Sequence, residues 1–244
     1  MNRIVERDLI HRVSYDQYRD EVRKVYGGAR GAMLARFSQL SGHLQLGDRL
    51  LRKRRFDLTG AQQILDVGSG AGQILGHLLK YADPDARITA VDISHAMLRR
   101  ARSRLKSDRP ELITADLTRL PFDSQAFDCV TCGYVLEHLP NARTGLAELA
   151  RVMKPNARML LFTTEDSFGG AWTSRVWACR TYNRREIVKL CHELGLMLVQ
   201  ELWFSRMHKL LRAGGICIEL RKHPPRHSNR HAASVEPVRV DSAV

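Results

Sequence analysis

Asp66, Asp92 and Asp116 each stand at the end of an apolar run, and Gly68, Gly70 and Gly72 follow the first of them. A carboxylate in such a place can accept hydrogen bonds from hydroxyl or amino groups or balance a cation. Glycines there let the backbone turn sharply and approach a ligand with no Cβ in the way. The form D-x-G-x-G-x-G differs from the dinucleotide fingerprint G-x-G-x-x-G, whose wider spacing seats a pyrophosphate on the next helix N-terminus. The tighter acidic form suits a ligand with a cationic or amino-acid tail. Asp92 lies about 20 residues beyond the last of these glycines, the distance expected of an acid that holds a ribose. Without the glycines before it, the plainer reading would be a helix N-cap ahead of Ser94. Farther on, Glu137 and His138 are adjacent. An imidazole is a general base near neutral pH; the plainer reading is that the pair begins a helix and plays a structural part.

The elements that must position these groups are legible as apolar runs. Residues 64–72 read as a buried strand, a tight turn and a helix start. Ile88–Asp92 is a second strand, and Leu112–Leu117 a third segment. Phe127–Cys132 is a fourth strand that runs into Gly133–Pro140. Glu148–Asn156 reads as a helix and turn, followed by the strand Met159–Thr163. Strand and helix therefore alternate from Gln62 to Thr164, the pattern of a doubly wound parallel sheet. Ligands in such sheets lie beyond the carboxyl ends of the strands, where strand order reverses. The named acids and glycines all fall at those ends.

This ordered series resembles the class I S-adenosylmethionine (SAM) methyltransferases, specifically the small-molecule branch called type 11, over roughly residues 60–165. The resemblance implies an α/β Rossmann-like fold: a seven-stranded, mainly parallel sheet with an antiparallel last strand, here with an N-terminal helical extension. It implies SAM as cofactor and S-adenosylhomocysteine (SAH) as product. Asp66, Gly68, Ser69, Gly70 and Gly72 would then face the methionine end, and Asp92 the ribose. Ile93 would flank the adenine, with Asp116 and Leu117 at its other edge. Tyr134 would border the methyl-transfer site, with Glu137 and His138 as candidates for chemistry. The stretch from Cys132 to His138 also resembles the ubiquinone-pathway O-methyltransferases, which hold a divalent cation in the order E-x-x-E-H. Tyr134 stands at the first of those positions, so one ligand is missing and no metal is assigned. A second departure is Asn156-Ala157, where a glycine pair is usual after Lys154-Pro155; asparagine tolerates left-handed backbone angles, so the turn is expected to survive.

With 244 residues and a 44% hydrophobic fraction, the chain can bury a real core in one α/β domain with appendages. No apolar run approaches the roughly 20 residues that span a bilayer, and Met1–Asp8 lacks the apolar stretch of a secretory signal. Five cysteines, an odd number, suggest reduced thiols and a cytoplasmic location. Cys129 and Cys132 form one C-x-x-C, but alternation along a strand sends them to opposite faces. The formal net charge is +13. Its arginines and lysines gather at 52–55, along the helix at 99–106, at 175–189 and in the tail. Such a field attracts RNA, anionic lipid headgroups or an acidic substrate, and solvated helix faces are the plainer account.

Four segments are expected: a helical cap over 1–60, the SAM-binding core over 61–165, an acceptor loop, helix and last two strands over 166–222, and a disordered tail over 223–244. Within them, Tyr15 or Tyr26 would line the acceptor pocket, and Phe168, Trp172 and Trp177 lie in an aromatic loop. Asn183 is the expected N-cap of a helix ending near Gly195. The leading function is methyl transfer to a small, hydrophobic or lipid-like acceptor, with peripheral contact to an anionic membrane as an option. RNA methylation is the alternative suggested by charge, although no N-P-P-Y-type motif follows Cys132. A non-catalytic SAM-binding protein is the third reading.

Overall fold

In the computed structural model, the described residues are 2–6, 9–13, 16, 17, 20, 50–53, 55–166, 180–203 and 215–224. Seven strands form one sheet: β3 (Gln63–Val67), β4 (Arg87–Asp92), β5 (Glu111–Thr114), β6 (Phe127–Gly133), β7 (Met153–Thr163), β8 (Leu196–Glu201) and β9 (Ile216–Lys222). Their spatial order is β5-β4-β3-β6-β7-β9-β8. The first five run parallel, and β9 lies antiparallel between β7 and β8. The expected sheet, with its antiparallel last strand, is the one found. Strand order reverses between β3 and β6, so the carboxyl ends of these two strands open the crevice in which such folds bind ligands.

The sheet separates two apolar layers because side chains alternate across it. Leu65, Val67, Val130, Cys132, Leu161 and Ile218 join one cluster, with Leu146 and Leu149 of helix α3 (Ala142–Val152). Ile64, Ile88, Ala90, Cys129 and Leu160 join the other, with Leu75 and Leu78 of helix α1 (Gln73–Tyr81). Cys129 and Cys132 thus sit on opposite faces, as alternation requires. Both thiols are buried and unpaired by disulfide, and burial pushes Cys129 up to about 12. Helix α2 (His95–Leu105) buries Met97, Leu98 and Ala101. Helix α4 (Arg184–Glu193) starts as expected, with the Asn183 side chain accepting from Arg185 N at 2.9 Å. Asn156 adopts φ 63, but the expected turn is replaced by strand: β7 runs through it from Met153, with a register shift against β6 between Phe127 and Cys129.

The N-terminal segment corrects the helical expectation for 1–60. Asn2–Glu6 (β1) and Leu9–Val13 (β2) pair as an antiparallel hairpin. The β-branched Ile4, Val5, Ile10 and Val13 favour strand. Helical backbone occurs at 16, 17, 20 and 50–52. Leu50, Leu51, Phe56 and Leu58 pack into the same cluster as Ile64 and Leu75, so the core begins about ten residues earlier than the expected boundary at 61. Tyr15, Tyr26, Phe168, Trp172, Trp177 and the tail from 225 lie outside the described residues. No helix among the described residues is long and apolar enough to cross a membrane.

Candidate active site

The glycine turn leaves β3 at Val67 and enters α1 at Gln73. Its three glycines, at φ 73, 53 and 84 in chain order, are all left-handed, a region most side chains avoid. Space differs among them. A Cβ on Gly68 would fall 2.0 Å from Val135 Cγ2, and one on Gly72 would fall 2.9 Å from Leu105 Cδ1. A Cβ on Gly70 would meet nothing nearer than Gln73 Oε1 at 3.6 Å. Packing therefore requires glycine at 68 and 72, whereas a Cβ at Gly70 would make only ordinary van der Waals contacts.

The hydrogen bonds of the turn show what kind of ligand it suits. Gly68 N and Ser69 N donate to Val91 O at 2.8 and 3.0 Å, Gly72 N to Ser69 O at 2.7 Å, and Gly70 N to Asp92 Oδ2 at 2.8 Å. These four donors are spent on the protein, unlike the free N–H groups of a phosphate cradle. The turn instead sits between two carboxylates. Asp66 is fully buried; its Oδ1 accepts from Thr131 Oγ1 at 2.6 Å, and Ser69 Oγ donates to its main-chain oxygen at 2.9 Å. Asp66 Oδ2 has no hydrogen-bond partner among the described residues. Burial raises the acid to about 6, against the pull of the Thr131 and Ser69 hydroxyls and with a push from Asp92.

Asp92, at the end of β4, accepts Ser94 N on Oδ1 at 2.8 Å as well as Gly70 N on Oδ2. Burial raises its pKa, and these two N–H groups oppose the rise. Each oxygen keeps a second acceptor position. Asp92 thus both orders the turn and retains capacity for a diol. Ile93 beside it is half-buried. Asp116 lies past β5, where its Oδ1 accepts the N–H and hydroxyl of Thr118 at 2.8 and 2.9 Å; Leu117 next to it is buried. The crevice thus brings together the ends of β3, β4, β5 and β6, with every cofactor-site candidate on one of them.

Beyond β6 the picture changes from the expected one. Tyr134 is held at φ 56, an uncommon conformation for an aromatic residue and a form of local strain found at functional sites. Its N–H donates to Phe162 O at 3.0 Å and its ring stacks on Phe162 with centroids 6.1 Å apart. Burial raises its phenol well above the ordinary range, so it is neutral at any working pH. Glu137 and His138 fall in a single 3-10 turn, Leu136–His138. Glu137 is buried, and its Oε1 accepts Thr164 N at 2.6 Å and Thr164 Oγ1 at 3.0 Å. That carboxylate fastens the turn after β6 to the end of β7. Burial raises its pKa. His138 is pushed down to about 4 by desolvation, so it is neutral at pH 7 and a weak proton acceptor. The base near neutral pH expected from its sequence position is not what this environment provides.

Residues that the sequence did not single out complete the frame. Thr131 meets Asp66 because β6 pairs with β3 in the register Asp66↔Thr131. Tyr182 donates from its hydroxyl to Leu136 O at 2.6 Å, and Arg180 Nη1 donates to Pro140 O at 2.7 Å. Arg104 reaches from α2 to the glycine turn. Much of the positive charge is likewise engaged within the fold. Arg109 donates to Leu79 O and Ala86 O, Arg151 to Glu148, Phe122 O and Leu120 O, and Arg184 to Glu165. Among the described residues no group of three or more His, Cys, Asp or Glu side chains is arranged to hold a metal.

A seven-stranded sheet in this order, with an acid-flanked glycine turn at its switch point, is the architecture of a class I methyltransferase domain. The chain matches, over residues 65–161, the family model described as "Methyltransferase domain". Among its relatives are the ubiquinone/menaquinone biosynthesis C-methyltransferase UbiE of Desulfotalea psychrophila, 32% identical over 52% of this chain and 56% of that protein, and the demethylmenaquinone methyltransferase of Clavibacter sepedonicus, 41% identical over 41% of this chain and 40% of that one. The chain thus spans about half the length of the curated relatives it matches. Among solved structures, the magnesium protoporphyrin IX methyltransferase ChlM from Synechocystis, with bound SAH, superposes with a TM-score of 0.66 at 20% identity, covering 83% of this chain and 99% of that one.

Proposed function

We propose that this chain is a SAM-dependent methyltransferase acting on a small, hydrophobic acceptor. The observation that carries the reading is the glycine turn at the sheet's switch point, with the unpartnered Asp66 Oδ2 before it and the Asp92 carboxylate bonded to Gly70 N. The residues fit the cofactor on that ground: a buried anionic oxygen lacks a donor, as an ammonium group would supply. The second acid keeps acceptor capacity for ribose hydroxyls. Asp66 with the turn would hold the amino-acid end, Asp92 the ribose, and Ile93, Asp116 and Leu117 the adenine. When bound, SAM supplies an activated methyl group on a sulfonium.

The chain's own contribution is then orientation and exclusion of water. Neutral Tyr134, fixed against Phe162, borders the end of β6. Glu137 positions that border through Thr164. His138 is neutral at pH 7. The names of the curated relatives, a ubiquinone/menaquinone biosynthesis C-methyltransferase and a demethylmenaquinone methyltransferase, support a hydrophobic acceptor here. The buried reduced thiols support a cytoplasmic location. Transfer of label from radioactive SAM into a lysate of the source cells tests the reading. Label in the organic-extractable fraction supports it. Label in the RNase-sensitive fraction would make RNA the acceptor, and no transfer alongside saturable SAH binding would make the chain a binding protein.

A further inference from the structure

Helix α2 carries Arg99, Arg100, Arg102, Arg104 and Lys106, and one of them is built into the glycine turn. Arg104 Nε donates to Ala71 O at 2.8 Å, and its Nη2 donates to Gly72 O. The acceptors are consecutive carbonyls, matched by two N–H groups of one planar fork. The peptide linking Ala71 to Gly72 is thereby held at both ends, its carbonyl by Arg104 and its N–H by Ser69 O at 2.7 Å. Gly72 O also accepts Gly76 N at 2.9 Å, the first turn of α1. The same helix presses on the turn from the side, since a Cβ on Gly72 would lie 3.1 Å from Ala101 Cβ.

We propose that Arg104 is a positioning residue for the cofactor: it fixes the Ala71–Gly72 peptide so that the turn keeps its left-handed path through Gly68, Gly70 and Gly72. The inference rests on reading that turn as part of the SAM site. It separates Arg104 from its neighbours on α2. Arg99 is exposed, and Arg102 pairs with Asp108 at 3.1 Å on the surface. A lysine at 104 keeps the charge but offers a single ammonium in place of the fork, so it rescues only in part.

The test uses the full chain as wild type, Arg104→Met, Arg104→Lys and Arg99→Met. Two quantities are read: SAH affinity by calorimetry, and hydrogen exchange of the Gly72 and Gly76 amides without ligand. Arg104→Met is expected to weaken SAH about tenfold, the effect of losing charge-assisted bonds that order the site. Exchange at Gly72 and Gly76 should rise by a similar factor, while the amides of β3 and β6 stay as in wild type. Arg104→Lys should fall between, and Arg99→Met should match wild type in both. If Arg104→Met does not fold, the lysine variant decides, and wild-type affinity and exchange there would overturn the proposal. Wild-type binding of SAH with unchanged affinity in Arg104→Met would overturn this inference alone. Failure of the wild-type chain to bind SAH would instead overturn the cofactor reading, and the positioning role with it.

Discussion

Asp66→Asn should make the free protein more stable and the cofactor site worse. Asp66 is fully buried, and its carboxyl is raised from 3.8 to about 6. The shift of about two units, at about 1.4 kcal/mol each, makes the ionised acid cost the fold about 3 kcal/mol at neutral pH. The sign follows from proton binding. Below pH 3.8 both folded and unfolded states hold the proton and there is no penalty; as pH rises to about 6 the unfolded chain loses it first, and stability falls. Asparagine keeps an oxygen to accept from Thr131 Oγ1 but leaves a neutral NH₂ where Oδ2 stood. An unpaired neutral amide costs about 1–2 kcal/mol, so the net gain expected at pH 7.5 is about 1–2 kcal/mol. Urea unfolding of both proteins from pH 4.5 to 8 is the assay, with unchanged m-values required for the comparison. The variant's advantage should shrink steadily toward the acid end and be gone or reversed at pH 4.5. SAH affinity should meanwhile drop at least about tenfold with the loss of the counter-charge. A difference independent of pH, or a variant less stable at pH 7.5, would refute the reasoning about Asp66.

Gly70→Ala should cost only about 1–2 kcal/mol of stability, the left-handed penalty for a side chain, yet weaken SAH about tenfold or more; Gly68→Ala, driven against Val135, should destabilise more than Gly70→Ala by thermal unfolding. Glu137→Ala leaves Thr164 N without its buried acceptor and should destabilise by about 2–3 kcal/mol, with Glu137→Gln recovering most of it in denaturant titrations. With the His138 imidazole at about 4, a methyl-transfer pH profile should show no inflection from this residue between pH 6 and 8; an inflection near 6.5 that His138→Asn removes would restore the general base.

The sheet was readable because β3, β4 and β6 are apolar runs largely buried on both faces, each meeting an acid or glycine at its carboxyl end at motif spacing. The N-cap at Asn183 and the left-handed Asn156 were readable because both are local preferences of asparagine. What escaped depends on contacts distant in sequence. The role of Thr131 follows only from the β3–β6 register. Arg104 is one arginine in a basic helix until the fold sets it across from Ala71 and Gly72, over 30 residues earlier. The carboxylate of Glu137 looks like chemistry beside a histidine, yet Thr164 at the end of β7 claims it. Burial likewise decides the proton affinity of His138, and no local pattern reveals that. The hairpin at residues 2–13 was missed because the helical period farther along was extended back over a β-branched stretch.

Asp92 carries the central claim most directly, because it both orders the turn through Gly70 and is assigned the ribose. Replacing it with alanine would strip acceptors from Gly70 N and Ser94 N, so loss of binding there would not distinguish the two roles. Asp92→Asn keeps one acceptor for these N–H groups and sets an NH₂ against the other, so it disturbs the turn less than alanine while removing the charge. Calorimetric titration of SAH into wild type and Asp92→Asn is therefore the measurement of choice. The account predicts one saturable site in wild type and at least about tenfold weaker binding in the variant, with thermal unfolding lowered by less than in Asp92→Ala. No binding by wild type, or equal affinity in both proteins, would contradict it.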